Sequence, residues 1–413
     1  MSRRVVITGL GCLTALGTGA ETLWKNLLEG KSGVTRLTRF DPSAFHAQCA
    51  GEINDFDPRA WFPSHKLKRF DRYAQFAVAV TQQALQDAGL SFDEDHPRAD
   101  AGVSFGTALG GIANAEHQHA AFLEKGPDSI PAALALQVFG GSAHSNIAIY
   151  FGLRGYGTTN SNSCASGTVA VGEAFRVIRD GIANLMVAGA AEAPLSPLTY
   201  GAFDAIKSMS KEINNPSSAC RPFDKKRTGF VMAEGAAALI LEERESALAR
   251  GARIYAEVVG YSLNNDAYHM TSSLPEGESA IAAIQSALTQ AGITLEEISY
   301  INAHASGTTM NDATEAKAIL KLLGSTKQCP FISGTKAATG HPLGATGAIE
   351  ALISALALHR GIIPGTINCD EPDVPEGFNL VRNHPLRHSL DYVLSNSFGF
   401  GGINSCLVLR AVP

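Results

Sequence analysis

The chain contains 413 residues, of which 45% are hydrophobic and 17% are charged, and its formal net charge is −6 at pH 7. A chain of this length can bury one large hydrophobic core or two smaller ones. The acidic balance argues against a nucleic-acid-binding protein, and no apolar run reaches the roughly 18 residues of a membrane-spanning helix. We therefore expect a globular protein without a membrane span and without a nucleic-acid partner.

Strand-like and helix-like segments alternate along the chain. Residues 5–7, 101–105 and 185–189 are continuous apolar runs, which predict strands buried on both faces of a sheet. Residues 73–88 carry apolar side chains at helical spacing and stop at Gly89, which predicts a helix. This alternation indicates an α/β fold, and the opening segment is expected to be a strand rather than a signal peptide.

The cysteines are scattered. Seven are spread along the chain without a CxxC pair. Such spacing argues against a disulfide framework or a zinc site and favours a reducing cytoplasm. We expect neither a metal nor another cofactor.

Cys164 is distinguished by its surroundings. It lies in SNSCASG at 161–167, where residues that cap helices run into a helical apolar pattern. The first turn of a helix carries unpaired N–H groups and the positive end of the helix dipole, which favour a thiolate over a thiol. Taken alone, the cysteine also fits a small buried hydrophobic residue.

Two histidines further along the chain favour the reactive interpretation. His304 lies in NAHASGT at 302–308, and His341 lies in GHPLG at 340–344. Taken singly, His304 also fits a loop histidine that bonds a backbone carbonyl group. His341, taken singly, also fits a cap that precedes a helix. A candidate nucleophile with two imidazoles forms a set that suits nucleophilic catalysis.

The chain also contains an internal repeat. CASG at 164–167 aligns with GATG at 344–347, an offset of 180 residues (344 minus 164), and both segments lead into helices that end at glycines. Chance similarity is the alternative to two related βα halves. We predict one half at 1–250 that carries the nucleophilic cysteine, and a second at 251–413 that carries the two histidines and a gating loop. The active site is then expected where the halves meet.

Seven motifs occur in order over most of the chain: VVITGLG at 5–11, the Cys164 segment, PFDK with GFV within 222–231, DAYHMT at 266–271, the His304 segment, K-x3-GH-x2-G at 336–344 and NSFGFGG at 396–402. Together they resemble β-ketoacyl-acyl-carrier-protein synthases of the elongating, synthase II-like type, in the thiolase superfamily. The resemblance implies a thiolase-like fold, with two related βα halves packed as a five-layer αβαβα structure.

The resemblance also implies an activity. This is the decarboxylating condensation of a cysteine-bound acyl group with malonyl-acyl carrier protein, which yields 3-oxoacyl-acyl carrier protein and CO2 in fatty-acid elongation. The implied partners are acyl carrier proteins and a second copy of the chain, and a heterodimer stays open. The enzyme is expected to be an acyltransferase of the cytoplasm.

The matching positions imply roles for individual residues. Cys164 is the expected nucleophile, because a thiolate both attacks and leaves readily. His304 and His341 are expected to support decarboxylation and hold the enolate, where one donor in a water-poor pocket can contribute about 3 kcal/mol. Lys336 is expected to order the histidines, and the ring of Phe400 to swing aside for the acyl chain.

Further residues are expected to support these groups. Glu350 faces inward by helical period, so its carboxylate needs a partner, and Lys336 is the candidate. Five side chains are expected to contact the substrate, through the pantetheine arm or along the acyl tunnel at a dimer interface: Thr271, Ser306, Thr308, Leu109 and Phe398. A basic cluster is expected to dock an acidic carrier protein, with a solvated surface as its alternative: Lys66, Lys68 and Arg69.

Some positions depart from the family pattern. Ala305 replaces the usual glycine, Ile403 replaces a threonine, and the run at 306–315 is nearer to polyketide-type ketosynthases. A ketosynthase of a specialised polyketide-like type II pathway is therefore an alternative. A non-catalytic partner subunit, like a chain-length factor, is a remote one because the cysteine and both histidines are present. A CoA-using thiolase would need a second reactive cysteine, whereas Cys406 lies in a strand-like segment.

Overall fold

The computed structural model describes residues 3–324 and 329–412. Apolar runs form its strands, and most of these are buried along their length. The strands are β1 Val5–Thr14, β2 Gly17–Thr18, β3 Val34–Arg36, β4 Cys49–Gly51, β5 Ala101–Gly106, β6 Gly157–Asn160, β7 Leu185–Glu192, β8 Gly235–Glu243, β9 Ala256–Asn265, β10 Tyr300–Asn302, β11 Phe331–Ser333, β12 Ile362–Ile363, β13 Leu386–Arg387, β14 Tyr392–Gly399 and β15 Ile403–Arg410.

Helices connect the strands, and short 3-10 turns precede two of them at the site described below. The helices are α1 Ala20–Leu28, α2 Ser64–Leu67, α3 Arg72–Asp87, α4 Ile112–Lys125, α5 Leu134–Gln137, α6 Ser142–Tyr150, α7 Ser166–Arg179, α8 Pro197–Ala205, α9 Arg244–Ala249, α10 Glu278–Ala291, α11 Thr309–Leu323, α12 Lys336–Thr339 and α13 Thr346–Arg360. None of the helices within the described residues is long and apolar enough to cross a membrane.

The main sheet consists of two equivalent sets of strands. Its order is β11-β10-β14-β15-β9-β1-β8-β7-β5-β6, with β2 paired to β1. Read outward from the central pair, each set has two antiparallel pairings followed by two parallel ones. The sets meet where Val5, Val6 and Ile7 of β1 pair with β9 in antiparallel register. The two related βα halves expected from the sequence are thus confirmed.

Three hydrophobic clusters separate the layers. The first lies between α3 and the first set of strands and contains Phe76 and Val103. The central cluster surrounds α7 and α13 and contains Val171 and Leu352. The third lies beneath α10 and α11 and contains Ile284. Helices therefore cover both outer faces and also fill the middle, which is the predicted five-layer α/β architecture.

The central helices pack through glycine. A Cβ atom on Gly167 would lie 2.3 Å from the backbone nitrogen of Ala348, and one on Gly347 would lie 2.1 Å from Oγ1 of Thr168. The backbones approach this closely only because both positions lack a side chain. The repeat seen in the sequence is therefore a pair of helices in direct contact, each starting beside the other.

The predicted elements correspond to observed ones. The apolar runs at 5–7, 101–105 and 185–189 lie in β1, β5 and β7. The predicted helix at 73–88 is α3, which begins after Asp71, whose carboxylate accepts a hydrogen bond from Ala74 N. It ends before Gly89, which has a φ of +69°.

Candidate active site

Cys164 lies on a 3-10 turn, Ser163–Ala165, that leads directly into α7. The sequence had placed it on the first helical turn, which begins two residues later. Ser163 has a φ of +52°, a left-handed conformation that is rare for a residue with a side chain. This bend turns the chain sharply before the helix, and the Cys164 sulfur lies at the base of a cavity with only 8% of the residue exposed.

Two buried histidines converge on this cysteine. His304 follows β10, and His341 follows the short helix α12. Their ring centroids are 5.6 Å apart and the rings are nearly perpendicular, at 81°. Nε2 of His341 lies 3.2 Å from Sγ of Cys164, while its Nδ1 lies 2.8 Å from Oγ1 of Thr346. The structure therefore brings together the three groups that the sequence had singled out.

Burial sets the protonation of the histidines. It lowers the pKa of His304 and of His341 well below the usual range, and the charge of Lys336 acts in the same direction. Both rings are therefore neutral near neutral pH, and each carries one N–H. A neutral imidazole can donate this hydrogen to a developing oxyanion.

The thiol of Cys164 differs from the sequence-based expectation. Burial raises its pKa, against the opposing effects of the Ser163 hydroxyl, the Lys336 charge and the backbone N–H of Phe400. The helix dipole had suggested a stabilised thiolate. That expectation was wrong for the resting site, because removal from water penalises the charged form more than these neighbours favour it.

Lys336 lies behind the histidines rather than in the cavity. It is fully buried, and its Nζ donates to the backbone carbonyl of His304 and lies 2.6 Å from Oε1 of Glu350. Burial raises the pKa of Glu350 to about 7, whereas the Lys336 charge lowers it. The pairing of these two residues matches the partner that the sequence named for Glu350. Through the carbonyl group, the ion pair fixes the loop that carries His304.

A second carboxylate holds the same loop. Glu315 on α11 accepts hydrogen bonds from the backbone N–H groups of His304 and Ala305, both at 2.8 Å. Ala305 has a φ of +42°, which explains why glycine suits this position and why alanine is strained here. Sequence reasoning missed the role of Glu315. Its only signal was a carboxylate on the helix after the histidine segment.

The cavity has a volume of about 500 Å³ and draws its walls from both halves. Nine of the predicted site residues line it: Cys164, His304, His341, Phe400, Thr271, Ser306, Thr308, Leu109 and Phe398. Lys336 and Glu350 lie behind this wall. Side chains that sequence reasoning missed complete the apolar part of the cavity: Phe203, Ile206, Phe230 and Leu343.

Two of the predicted hydroxyls bond each other. Oγ of Ser306 lies 3.0 Å from Oγ1 of Thr308, and that threonine caps α11 by accepting from Asn311 N. Thr271 is exposed at the rim, and its backbone N–H donates to Nδ1 of His269. The three residues thus place polar groups along one side of the cavity, and their contact with a pantetheine arm stays a prediction.

Phe400 belongs to an aromatic part of the cavity wall. Its ring stacks on Phe203, with centroids 6.2 Å apart, and Phe203 meets Phe230 edge to face at 5.9 Å. Phe230 in turn meets His341 at 5.3 Å. The ring of Phe400 is therefore one end of an aromatic row that reaches His341.

The basic cluster at the surface lies apart from the cavity. Nζ of Lys66 is 3.1 Å from Oε1 of Glu94 and 4.6 Å from the ring centre of Tyr150. Lys68 and Arg69 are exposed. Because Glu94 partly neutralises Lys66, the two exposed residues contribute most of the positive field. A docking role for the cluster stays a prediction.

Comparison with known families decides the identity. The profile for "Beta-ketoacyl synthase, N-terminal domain" matches residues 2–247, and that for "Beta-ketoacyl synthase, C-terminal domain" matches residues 255–370. The chain belongs to the β-ketoacyl synthase family. It is therefore a ketosynthase, an enzyme of the acyltransferase class, and its fold is the thiolase fold.

Individual relatives of this β-ketoacyl synthase cover the whole chain. The 3-oxoacyl-[acyl-carrier-protein] synthase 2 of Synechocystis sp. is 41% identical over 408 residues, which are 99% of this chain and 98% of the relative. Two solved structures cover 100% of both chains. The ishigamide ketosynthase/chain length factor has a TM-score of 0.93 at 35% identity. A type II polyketide ketosynthase in complex with its acyl-carrier protein has a TM-score of 0.90 at 36% identity.

The buried ion pair leads to a stability prediction. Replacing Lys336 by methionine leaves Glu350 buried without its cation, so we expect a loss of about 3–5 kcal/mol in the free energy of unfolding. Glu350 escapes part of this cost by remaining protonated, so the loss should be smaller near about pH 6 than near about pH 8. Urea unfolding of the variant at both pH values measures the effect.

The double variant Lys336→Met/Glu350→Leu is the control, because it removes both charges. It should recover most of the lost stability. A single variant that unfolds at the wild-type urea concentration at both pH values would show that the pair contributes nothing.

Proposed function

We propose that this β-ketoacyl synthase extends carrier-bound acyl chains by decarboxylating condensation, as in fatty-acid elongation. The observation that carries the proposal is the contact of Cys164 with a neutral His341 beside His304 in one cavity. The 41% identity to a 3-oxoacyl-[acyl-carrier-protein] synthase 2 over nearly the whole chain supports the same reaction.

The first half-reaction loads the enzyme. The Cys164 sulfur attacks the thioester carbon of an acyl carrier protein, a new carbon–sulfur bond forms, and the bond to the carrier sulfur breaks. The thiol proton ends on the released carrier thiol. During this step the backbone N–H groups of Cys164 and Phe400 hold the oxyanion. The backbone N–H of Phe400 is directed at the Cys164 sulfur, and a Cβ atom on Gly399 would lie 3.1 Å from Cys164 N, so the two segments are close enough for this arrangement.

The second half-reaction forms the new carbon–carbon bond. The malonyl group on its carrier protein loses CO2. The electron pair of the broken carbon–carbon bond forms an enolate, whose oxygen accepts hydrogen bonds from His304 and His341. Nδ1 of His341 lies 2.8 Å from the Thr346 hydroxyl. In this mechanism we assign the hydroxyl as the donor, which places the ring hydrogen on Nε2, facing the cavity. The enolate carbon then attacks the acyl carbon, a carbon–carbon bond forms, and the bond to the Cys164 sulfur breaks. The sulfur leaves as a thiolate, which takes a proton from solvent to restore the resting thiol.

A type II polyketide-like pathway is the second candidate. It is favoured by the run at 306–315 and by the two structural relatives at 35% and 36% identity. The higher identity to synthase 2 relatives favours fatty-acid elongation. A non-catalytic partner subunit does not account for the assembled cysteine and histidines. A thiolase would need a second reactive cysteine. Cys406 does not supply it, because this residue is fully buried in β15 and does not line the cavity.

Three variants test the assignment. Cys164→Ala should form no acyl adduct with acyl carrier protein but still decarboxylate the malonyl-carrier, because the histidines remain. His304→Ala and His341→Ala should each still accept an acyl group but lose condensation by about 10²–10³-fold, since each removes one donor to the enolate. Intact-protein mass spectrometry, CO2 release and product formation measure the three steps.

Cys329→Ala is the matched control, because Cys329 is a partly exposed cysteine outside the cavity. It should load and condense like the wild type. An acyl adduct on any cysteine other than Cys164 would contradict the nucleophile, and near-wild-type condensation by either histidine variant would contradict the two-imidazole mechanism.

The proposal includes a gate at Phe400. Its loop is held shut by hydrogen bonds of 2.7 Å from Gly401 N to Met270 O and from Asp266 N to Gly402 O. Gly401 and Gly402 have φ values of +84° and +72°, so this loop adopts conformations that favour glycine. Opening the gate breaks the stack on Phe203 and admits the acyl chain beside Cys164.

Phe400→Ala should therefore impair acyl loading and the coordination of the two substrates more than it impairs folding. Ile403→Thr, which restores the hydroxyl of the family pattern beside the loop, should change the accepted chain lengths. Transacylation rates over short, medium and long acyl carriers measure both effects. An unchanged rate and chain-length profile for Phe400→Ala would show that the loop is only a packing turn.

The partners follow from the same proposal. Acyl- and malonyl-loaded carrier proteins are the substrates, docked by Lys66, Lys68 and Arg69. All seven cysteines are free, which fits a reducing compartment, and we place the enzyme in the cytoplasm. We also propose a homodimer. Within the described chain, β6 pairs on one side only, with β5. Large apolar side chains are exposed on the surface of α4, α5, α6 and α8, of which α6 packs against β6: Leu123, Leu136, Ile149 and Leu198.

A second copy would extend the sheet at β6 and cover this apolar surface. We expect the wild type to sediment as a dimer at micromolar concentration, and Leu136→Asp/Ile149→Asp to sediment as a monomer. Leu248→Asp, an exposed leucine on α9 away from this surface, should leave the dimer intact. A fully active monomeric wild type would contradict the proposal.

A further inference from the structure

Glu192 is a buried carboxylate to which the proposed mechanism gives no role. It is the last residue of β7, and it is fully shielded from solvent. Burial raises its pKa to about 7, and each of its hydrogen-bond donors acts in the opposite direction. A buried carboxylate destabilises the fold unless its oxygens accept hydrogen bonds. The Glu192 carboxylate accepts four.

The four donors come from two segments of the cavity wall. Oε1 accepts from the Thr107 hydroxyl and from Leu109 N, both at 3.1 Å. Oε2 accepts from Ala108 N at 2.7 Å and from Gly344 N at 3.1 Å. The first three donors follow β5 in the first half, whereas Gly344 belongs to the turn that follows His341 in the second half.

The fit at this junction is tight. A Cβ atom on Gly344 would lie 2.3 Å from Ala108 N and 2.7 Å from Oε2 of Glu192. The two wall segments therefore meet only because this position is glycine, and the carboxylate joins them. Leu109 and Leu343, one from each segment, both line the cavity.

We infer that Glu192 is a positioning residue that joins the acyl-side wall at 107–109 to the turn at 343–345, and so determines which acyl chains the cavity accepts. The inference rests on the proposed acyl transfer to Cys164. Glu192 does not itself line the cavity, so it acts through the side chains that it positions, Leu109 above all.

The chemistry of the donors explains why a carboxylate is required. All three N–H groups can only donate, so every oxygen of the side chain must accept. A glutamine of the same size would turn its NH2 group toward the Thr107 hydroxyl, which can accept, and would leave Leu109 N without a partner. Glu192→Gln therefore releases the acyl-side wall while the bonds to Ala108 and Gly344 remain.

The test measures transacylation from acyl carrier proteins with short, medium and long chains. For Glu192→Gln we expect kcat/KM for the long chain to fall roughly tenfold relative to the short chain, as the loss of one buried hydrogen bond implies. The change should lie in KM rather than kcat, since a loosened wall weakens binding of the chain. Malonyl decarboxylation, which depends on the histidines, should stay near the wild-type rate.

Thr107→Val provides a second route to the same result, because it removes one donor and leaves the carboxylate in place. Thr107→Val should shift the chain-length profile of kcat/KM in the same direction. It replaces Glu192→Gln as the test if that variant does not fold. Glu376→Gln, at an exposed carboxylate outside the cavity, is the matched control and should leave the profile unchanged.

The outcomes separate the two levels of the proposal. A wild-type enzyme that accepts no acyl group on Cys164 would overturn the proposed function itself. A wild type that loads normally, with folded Glu192→Gln or Thr107→Val enzymes whose chain-length profiles match it, would overturn the positioning role alone. A uniform fall in kcat for all chain lengths would also overturn it, because it would indicate a general structural defect.

Discussion

The close contact of α7 with α13 is the constraint on which the rest of the site depends. Gly167 and Gly347 let the two helices touch where they begin, since a Cβ at either position would lie within 2.3 Å of the other helix. Cys164 lies two residues before α7, and His341 lies just before α13. The distance of 3.2 Å between Nε2 of His341 and the Cys164 sulfur is therefore set by helix packing rather than by flexible loops.

Around this contact, buried carboxylates hold the chain where the histidines need it. Glu315 accepts from the backbone of the His304 loop, Glu350 pairs with Lys336 beneath that loop, and Glu192 holds the turn after His341. Burial raises the pKa of each carboxyl to about 7. The same burial keeps both imidazoles neutral. The water-poor environment that suits enolate formation therefore also raises the free-energy cost of ionising these three carboxyl groups.

The secondary-structure elements could be predicted from the sequence, and so could the cysteine and the two histidines that the structure brings together. Three predictions depend only on local sequence patterns, which can be read directly from the chain: the strand at 185–189, the helix at 73–88 and the repeat at 164–167 and 344–347. The charge state of Cys164 was predicted wrongly, because the degree of burial depends on the whole fold. Glu192 was missed for a related reason. Its carboxylate accepts a hydrogen bond from Gly344 N, 152 residues away, and no local sequence pattern predicts such a contact.

The two halves use one turn in different ways. Ser163 and Leu343 occupy equivalent positions, and both have positive φ values, of +52° and +39°. The next residue is Cys164, the proposed nucleophile, in the first half and Gly344 in the second. A side chain at Gly344 would collide with Ala108 and Glu192, so the second turn cannot carry a nucleophile without separating the cavity walls. One half therefore supplies the sulfur, and the other supplies the backbone N–H that fixes the acyl-side wall beside it.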